Sequence, residues 1–167
     1  MAAGSSAARS LLKELKHLCV NSGGTGVSGY PEERSSLLTR WMATVDGPCG
    51  TPWEGRQVTC TLTFCPTVIG GPWPTKPPQL RVVGPIPFHP NIDARSGLVC
   101  MDLLGDQWSC AGGVLAILLS FRSLLASPTT SDAASMPANR FAARSFLLEP
   151  FDYEVQNRRI ALGMPLI

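Results

Sequence analysis

The chain has 167 residues, a formal net charge of +2 and 16% charged side chains, below the usual quarter. A chain of this length is most simply one domain, with enough buried surface to stand without disulfides, and it lacks the clustered basic face of a general nucleic-acid binder. With 44% hydrophobic residues and few charges, exposed apolar surface and protein partners are expected.

Residues 1–8 read as a flexible tail, 9–163 as one domain and 164–167 as a short second tail. From Arg9 to Val20, apolar Ala8, Leu11, Leu12, Leu15, Leu18 and Cys19 recur at helical spacing, with Arg9, Lys13, Lys16 and His17 turned elsewhere. Asn21-Ser22-Gly23-Gly24 ends this amphipathic helix. A short extended piece follows at Val27 to Tyr30. Period-two alternation then predicts strands around Trp41, Ala43 and Val45, around Val58, Cys60, Leu62 and Phe64, and around Leu80 and Val82. The turn from Asp46-Gly47-Pro48 to Glu54-Gly55 makes a hairpin of the first two, and the Pro/Gly-rich stretch Ile69 to Pro78 leads to the third. After Pro85 the pattern stops, because Pro85, Pro87 and Pro90 cannot donate to a ladder.

The apolar run Val114 to Ala126 is too short to span a bilayer, which takes about 20 residues, and Arg122 interrupts it, so it reads as a buried helix. SPTTSDAASMP is a loop, Asn139 to Leu148 a helix, Pro150 a break, and Tyr153 to Leu162 a last helix. Helix, meander sheet, irregular segment, then helices imply an α+β fold: an N-terminal helix, a four-stranded antiparallel sheet, and C-terminal helices.

The six cysteines are Cys19, Cys49, Cys60, Cys65, Cys100 and Cys110. There is no C-x-x-C pair, and only His17 and His89 could assist a metal site, so no metal is expected. The start MAAGSSAARSLLKELKHL lacks a continuous apolar stretch of the secretory kind. Reduced thiols in cytoplasm or nucleus are therefore expected.

The most informative stretch is PFHPNIDARSGLVCMDLLGDQW. His89-Pro90-Asn91 precedes a single cysteine, Cys100, which is followed by Met101-Asp102-Leu103-Leu104 and Gln107-Trp108-Ser109. This resembles the active-site segment of the ubiquitin-conjugating enzymes, the carriers that hold ubiquitin as a thioester. Further motifs fall in the family's order: Leu12-Lys13-Glu14-Leu15, Trp41 to Val45 with Gly47-Pro48, Thr51-Pro52-Trp53-Glu54-Gly55, Lys76-Pro77-Pro78, Leu118-Leu119-Ser120 and Ser123-Leu124-Leu125. The resemblance runs from about Arg9 to Leu162. The chain departs from the family at the Asn91–Cys100 loop, one residue longer, and at an insertion, Val68-Ile69-Gly70-Gly71. Thr75 stands where an aromatic docks ligases, and Cys110 where proline follows Trp108-Ser109.

The resemblance implies a thioester acyl transferase with the UBC fold. Cys100 is the expected nucleophile, since a thiolate both attacks and leaves well; Cys19, Cys60 and Cys65 read as buried core thiols. Asn91 would support the loop near Cys100 or donate an amide N–H to the oxyanion formed when lysine attacks. His89 is expected to pack and bond backbone rather than act as a base. Asp132 aligns with an acidic group that orients the lysine, with a solvated loop aspartate as the alternative. Asp102 is expected to hydrogen-bond locally. Pro90 fixes the turn, and Trp108 with Leu103 and Leu104 would pack the segment on the core. Arg9, Lys13, Lys16, Thr75, Ser109 and Cys110 are candidate contacts to an activating enzyme or ligase, against the alternative of a solvated helix face for the three basic residues. Expected partners are ubiquitin or a ubiquitin-like protein, the activating enzyme, a ligase and a substrate protein, with no nucleic acid and no membrane. No cofactor is expected to bind, ATP being used upstream by the activating enzyme.

SUMO conjugation is the alternative within the family, disfavoured by the short Cys100–Trp108 spacing. A silent ubiquitin-binding variant is the alternative outside catalysis, disfavoured by the presence of Cys100 and Asn91. A papain-like hydrolase lacks a well-placed histidine.

Overall fold

Period-two alternation becomes the sheet as expected. The computed structural model describes residues 2–32, 39–64, 73–130 and 137–165. Strands β1 (Val27–Pro31), β2 (Arg40–Asp46), β3 (Gln57–Thr63) and β4 (Gln79–Val82) form one antiparallel sheet in the order β1-β2-β3-β4. Val45 pairs with Val58, Ala43 with Cys60, Trp41 with Leu62, and Leu62 with Leu80, so these apolar side chains share one face and are buried. The opposite face carries hydroxyls, and Ser28 and Thr44 bond across it at 2.7 Å. In the β2–β3 connection the Gly47 backbone lies directly on the Trp53 carbonyl, in space that any Cβ would need.

Helix α1 (Ala2–Asn21) starts earlier than expected: residues 2–8 are helical rather than tail. Ala2, Ala3, Ala7 and Ala8 explain the extension, since alanine is the strongest helix former. Its buried stripe is also narrower. Leu11 and Leu18 are buried and Leu15 packs beside them, but Leu12 is 47% exposed and Cys19 is exposed. Cys19 is therefore not the core thiol that was expected. Residues 12 and 19 each follow a buried position by one step, about 100° around the helix, which carries them off the apolar face.

Helix α2 (Val114–Ala126) has the expected bounds and buries Val114, Ile117, Leu118, Phe121, Leu124 and Leu125 against the sheet and α1. Its first turn is capped from another element: Glu14 of α1 accepts the Val114 N–H at 2.9 Å. Helix α3 (Arg140–Leu148) is capped by Asn139, whose Oδ1 accepts the Ala142 N–H at 3.0 Å. Pro150 does not merely break a helix. It opens α4 (Pro150–Ala161) in the first turn, where its missing N–H costs nothing. Among the described residues no helix is long and apolar enough to cross a membrane.

A line of aromatic rings ties the sheet to the irregular segment. Trp41 and Phe64 lie 5.5 Å apart, Phe64 and Trp73 5.1 Å, and Trp73 and Trp108 5.4 Å. The Trp73 indole N–H donates to Ser10 Oγ of α1 at 3.1 Å, and that of Trp108 to the Pro74 carbonyl at 3.1 Å. The insertion Val68–Gly71 and Cys65 lie outside the described residues.

Candidate active site

Three prolines forbid a ladder after β4, so residues 83–113 are placed by individual bonds. They are not wholly without strand character: Arg81 bridges Leu98 and Ile92 bridges Val99. The turn between is closed by Asp93, whose Oδ1 accepts the Ser96 N–H and hydroxyl, both at 2.7 Å, and the Arg95 N–H at 3.2 Å. These bonds hold the Asp93 carboxyl below its ordinary range, the Ser96 hydroxyl first among them. Arg81 of β4 reaches the Ser96 carbonyl at 2.6 Å. Gly97, at φ 69°, sits against the Val82 carbonyl where no Cβ fits, and its own carbonyl accepts the Val82 N–H at 2.8 Å. The Asn91–Cys100 loop is thus a closed turn fastened to the sheet edge.

That turn delivers Cys100. Val99 is buried and its N–H bonds Leu80 O at 3.0 Å, while the next residue, Cys100, is exposed. The Cys100 N–H donates to the Asn91 carbonyl at 2.8 Å. A groove of about 250 Å³ opens beside it, lined by Lys76, Pro77, Pro78, Leu98, Met101 and Leu104 among others. Cys60, by contrast, lies in the core, and burial pushes its thiol up to about 12, where it stays protonated and inert.

His89, Pro90 and Asn91 anchor in three directions. His89 is 2% exposed; its Nδ1 accepts the Asn91 N–H at 3.1 Å, which leaves Nε2 to donate to the Leu124 carbonyl at 3.0 Å. Burial lowers its pKa to about 4, only partly offset by the Leu124 bond, so the ring is neutral. The Pro90 carbonyl accepts the Asn139 N–H at 3.0 Å. The Asn91 side chain is engaged with Thr129: Oδ1 accepts the Thr129 N–H at 3.0 Å, and Nδ2 donates to Thr129 O at 3.1 Å and Oγ1 at 2.8 Å. The Asn91 amide thus joins the loop before Cys100 to the segment after α2.

Asp102 opens a short 3-10 turn, Asp102–Leu104, and is exposed. Its local bonds run through the carbonyl oxygen, which accepts the Gly105 and Gln107 N–H groups at 2.9 and 3.0 Å. Leu103, Leu104 and Trp108 pack on the core. Ser109 and Cys110 are exposed just beyond, and Thr75 is exposed in the turn before β4. Arg9, Lys13 and Lys16 are all exposed on α1. Asp132 lies outside the described residues. Among the described residues no three His, Cys, Asp or Glu side chains gather as a metal site.

Two residues that the sequence did not single out hold the site. Asn157 of α4, 2% exposed, takes the Trp53 indole N–H at 3.2 Å and the Phe88 N–H at 3.0 Å on Oδ1, and gives N–H to Phe88 O at 2.8 Å and Tyr153 O at 3.1 Å. It fixes the residue before His89. Thr129 is the second. Neither carries a local sequence signal, because each acts across more than 30 residues of chain.

The sequence profile of the ubiquitin-conjugating enzyme family matches residues 10–158. The chain is 34% identical over 151 residues to "Ubiquitin-conjugating enzyme E2-20 kDa" of Schizosaccharomyces pombe, covering 90% of this chain and 78% of that protein. It is 38% identical over 135 residues to "Ubiquitin-conjugating enzyme E2 3" of Arabidopsis thaliana, covering 81% and 79%. Among solved structures it is similar to a Toxoplasma gondii ubiquitin conjugating enzyme E2 domain, with TM-score 0.77, 28% identity and coverage of 93% and 96%.

Proposed function

The chain belongs to the ubiquitin-conjugating enzyme family, and from that premise we propose that Cys100 is the residue on which it carries ubiquitin as a thioester. The observation that carries this reading is the exposure of Cys100 at the end of a fastened turn, with its N–H on the Asn91 carbonyl at 2.8 Å. The modifier is ubiquitin rather than SUMO, since both relatives are named for ubiquitin.

In the first step the Cys100 thiolate attacks the thioester carbonyl presented by the activating enzyme. The C–S bond to that enzyme breaks, its thiolate leaves, and the acyl group is now on Cys100. In the second step a lysine amine attacks the Cys100 thioester. A tetrahedral oxyanion forms and collapses, the Cys100 thiolate leaves, and the amine proton is lost as the isopeptide bond closes. Asn91 serves this step by keeping the loop over Cys100 in place, and its Nδ2, oriented by Thr129, is the donor proposed for the oxyanion as it forms. Asp132 is retained as the group that orients the lysine. The exposed row Arg9, Lys13 and Lys16, with Thr75, Ser109 and Cys110, is proposed as the surface for activating enzyme and ligase. Nucleotide is consumed by the activating enzyme, and this chain binds none.

The test is charging with activating enzyme, ATP and ubiquitin. Wild type should form an adduct that a thiol reductant removes. Cys100→Ser should form a reductant-resistant oxyester or no adduct, while Cys110→Ser and Cys49→Ser charge normally. A reducible adduct on Cys100→Ser overturns the assignment.

A further inference from the structure

We infer that Thr129 is a positioning residue for the lysine-transfer step, acting through Asn91; the inference rests on the reading of Cys100 and Asn91 given above. The Asn91 amide has one acceptor oxygen and two N–H donors. Thr129 meets the oxygen with its backbone N–H at 3.0 Å, and Nδ2 with its carbonyl at 3.1 Å and its hydroxyl at 2.8 Å. Any residue but proline at this position could offer the two backbone groups. The hydroxyl is what threonine adds, and its contact is the shortest of the three.

The approach of Thr129 is itself fixed. His89 Nε2 bonds Leu124 O near the end of α2 at 3.0 Å, and the Ser127 N–H closes the helix on Ser123 O at 3.0 Å. Pro128 then sets the backbone φ before Thr129. The main chain of Asn91 is tied to Cys100, and its side chain to Thr129. Loss of the hydroxyl would leave the amide on the two longer backbone bonds, held less firmly but without disturbing the fold, because the contact is solvent-exposed.

Thr129→Val removes the hydroxyl and keeps the shape. Wild type, Thr129→Val, Thr129→Ser, Asn91→Ala and the Asn91→Ala/Thr129→Val double variant are charged, then discharged to free lysine in single turnover, and their thermal unfolding is recorded. The expected result is normal charging and an unchanged midpoint for Thr129→Val, with discharge slowed about fivefold, the scale of one exposed-to-water hydrogen bond. Thr129→Ser should restore the wild-type rate, and Thr129→Val should add almost nothing to Asn91→Ala, since both break one coupling. Discharge at the wild-type rate, a full additional loss on the Asn91→Ala background, or no rescue by serine overturns the inference. So does a joint fall of charging and midpoint, which marks a general structural role. Failure of the underlying reading shows separately, as a reducible adduct on Cys100→Ser.

Discussion

The sheet and the segment from Pro85 to Gly113 are held by opposite strategies. In the sheet the bonds are periodic and redundant: each of β2 and β3 has a paired strand on both sides, and Trp41, Leu62 and Leu80 fill one continuous apolar face. In the irregular segment each constraint is one residue reaching a distant element by one to three hydrogen bonds, such as His89 to Leu124, Asn91 to Thr129, Trp108 to Pro74, or Asn157 to Phe88. The two cysteines Cys60 and Cys100 summarise the consequence. The first is sealed in the sheet with its thiol pushed up to about 12; the second is exposed in the irregular segment, where chemistry is possible. Stability is concentrated in one region and the proposed reactivity in the other, so the two properties should respond separately to substitution.

The largest expected effects come from breaking each region in turn. Trp41→Ala removes a fully buried ring that touches Phe64 and should cost about 3–5 kcal/mol of unfolding free energy in a denaturant titration. Asn91→Ala should leave that titration nearly unchanged and charging intact, yet slow discharge to lysine by about 10²-fold, the scale of one lost oxyanion donor. If Asn91→Ala lowers charging, discharge and stability together, the separation fails.

A smaller effect sharpens the boundary. His89 belongs to the irregular segment but is buried like a core residue. Its folded pKa lies near 4, below the 6.5 of a free imidazole. The unfolded chain therefore binds the extra proton first, and stability that is complete above pH 6.5 is lost as pH falls toward 4, by on the order of 3 kcal/mol at full extent. Asp93, with its lowered pKa, contributes in the same direction but at lower pH. Denaturant midpoints measured between pH 7 and 4 should fall for wild type and flatten for His89→Gln. A slope unchanged in His89→Gln would assign the acid loss to other groups.

The same contrast explains what the sequence revealed. The strands were legible because Thr59, Thr61 and Thr63 alternate with Val58, Cys60, Leu62 and Phe64, and α2 because its apolar positions repeat at three and four. The α+β class and the sheet order follow from those local periods. At the site, His89-Pro90-Asn91 and Cys100 stood out through their motif, but the partners of those residues did not. Thr129, Asn139 and Asn157 work by contacts 38, 49 and 69 residues away in sequence, which leave no period to read. Cys19 and Leu12 failed for a different reason. A hydrophobic stripe read from residue types alone does not say how wide a face the neighbouring elements cover, and on α1 they cover only the line through Leu11, Leu15 and Leu18. The start of α1 lies ahead of the amphipathic pattern because residues 2–8 are helical through alanine propensity, which leaves no apolar period to read.

The central claim, that the reactive thiol is the exposed one in the irregular segment, is tested most directly by cysteine protection mapping. The protein is charged with ubiquitin, free thiols are alkylated under non-reducing conditions, and the thioester is then cleaved and the newly exposed thiol labelled with a second, mass-distinct reagent. With both labelling steps run on unfolded protein, the account predicts the second label on Cys100 alone, with Cys19, Cys49, Cys60 and Cys110 carrying the first. The second label on any other cysteine, with Cys100 alkylated from the outset, would contradict it.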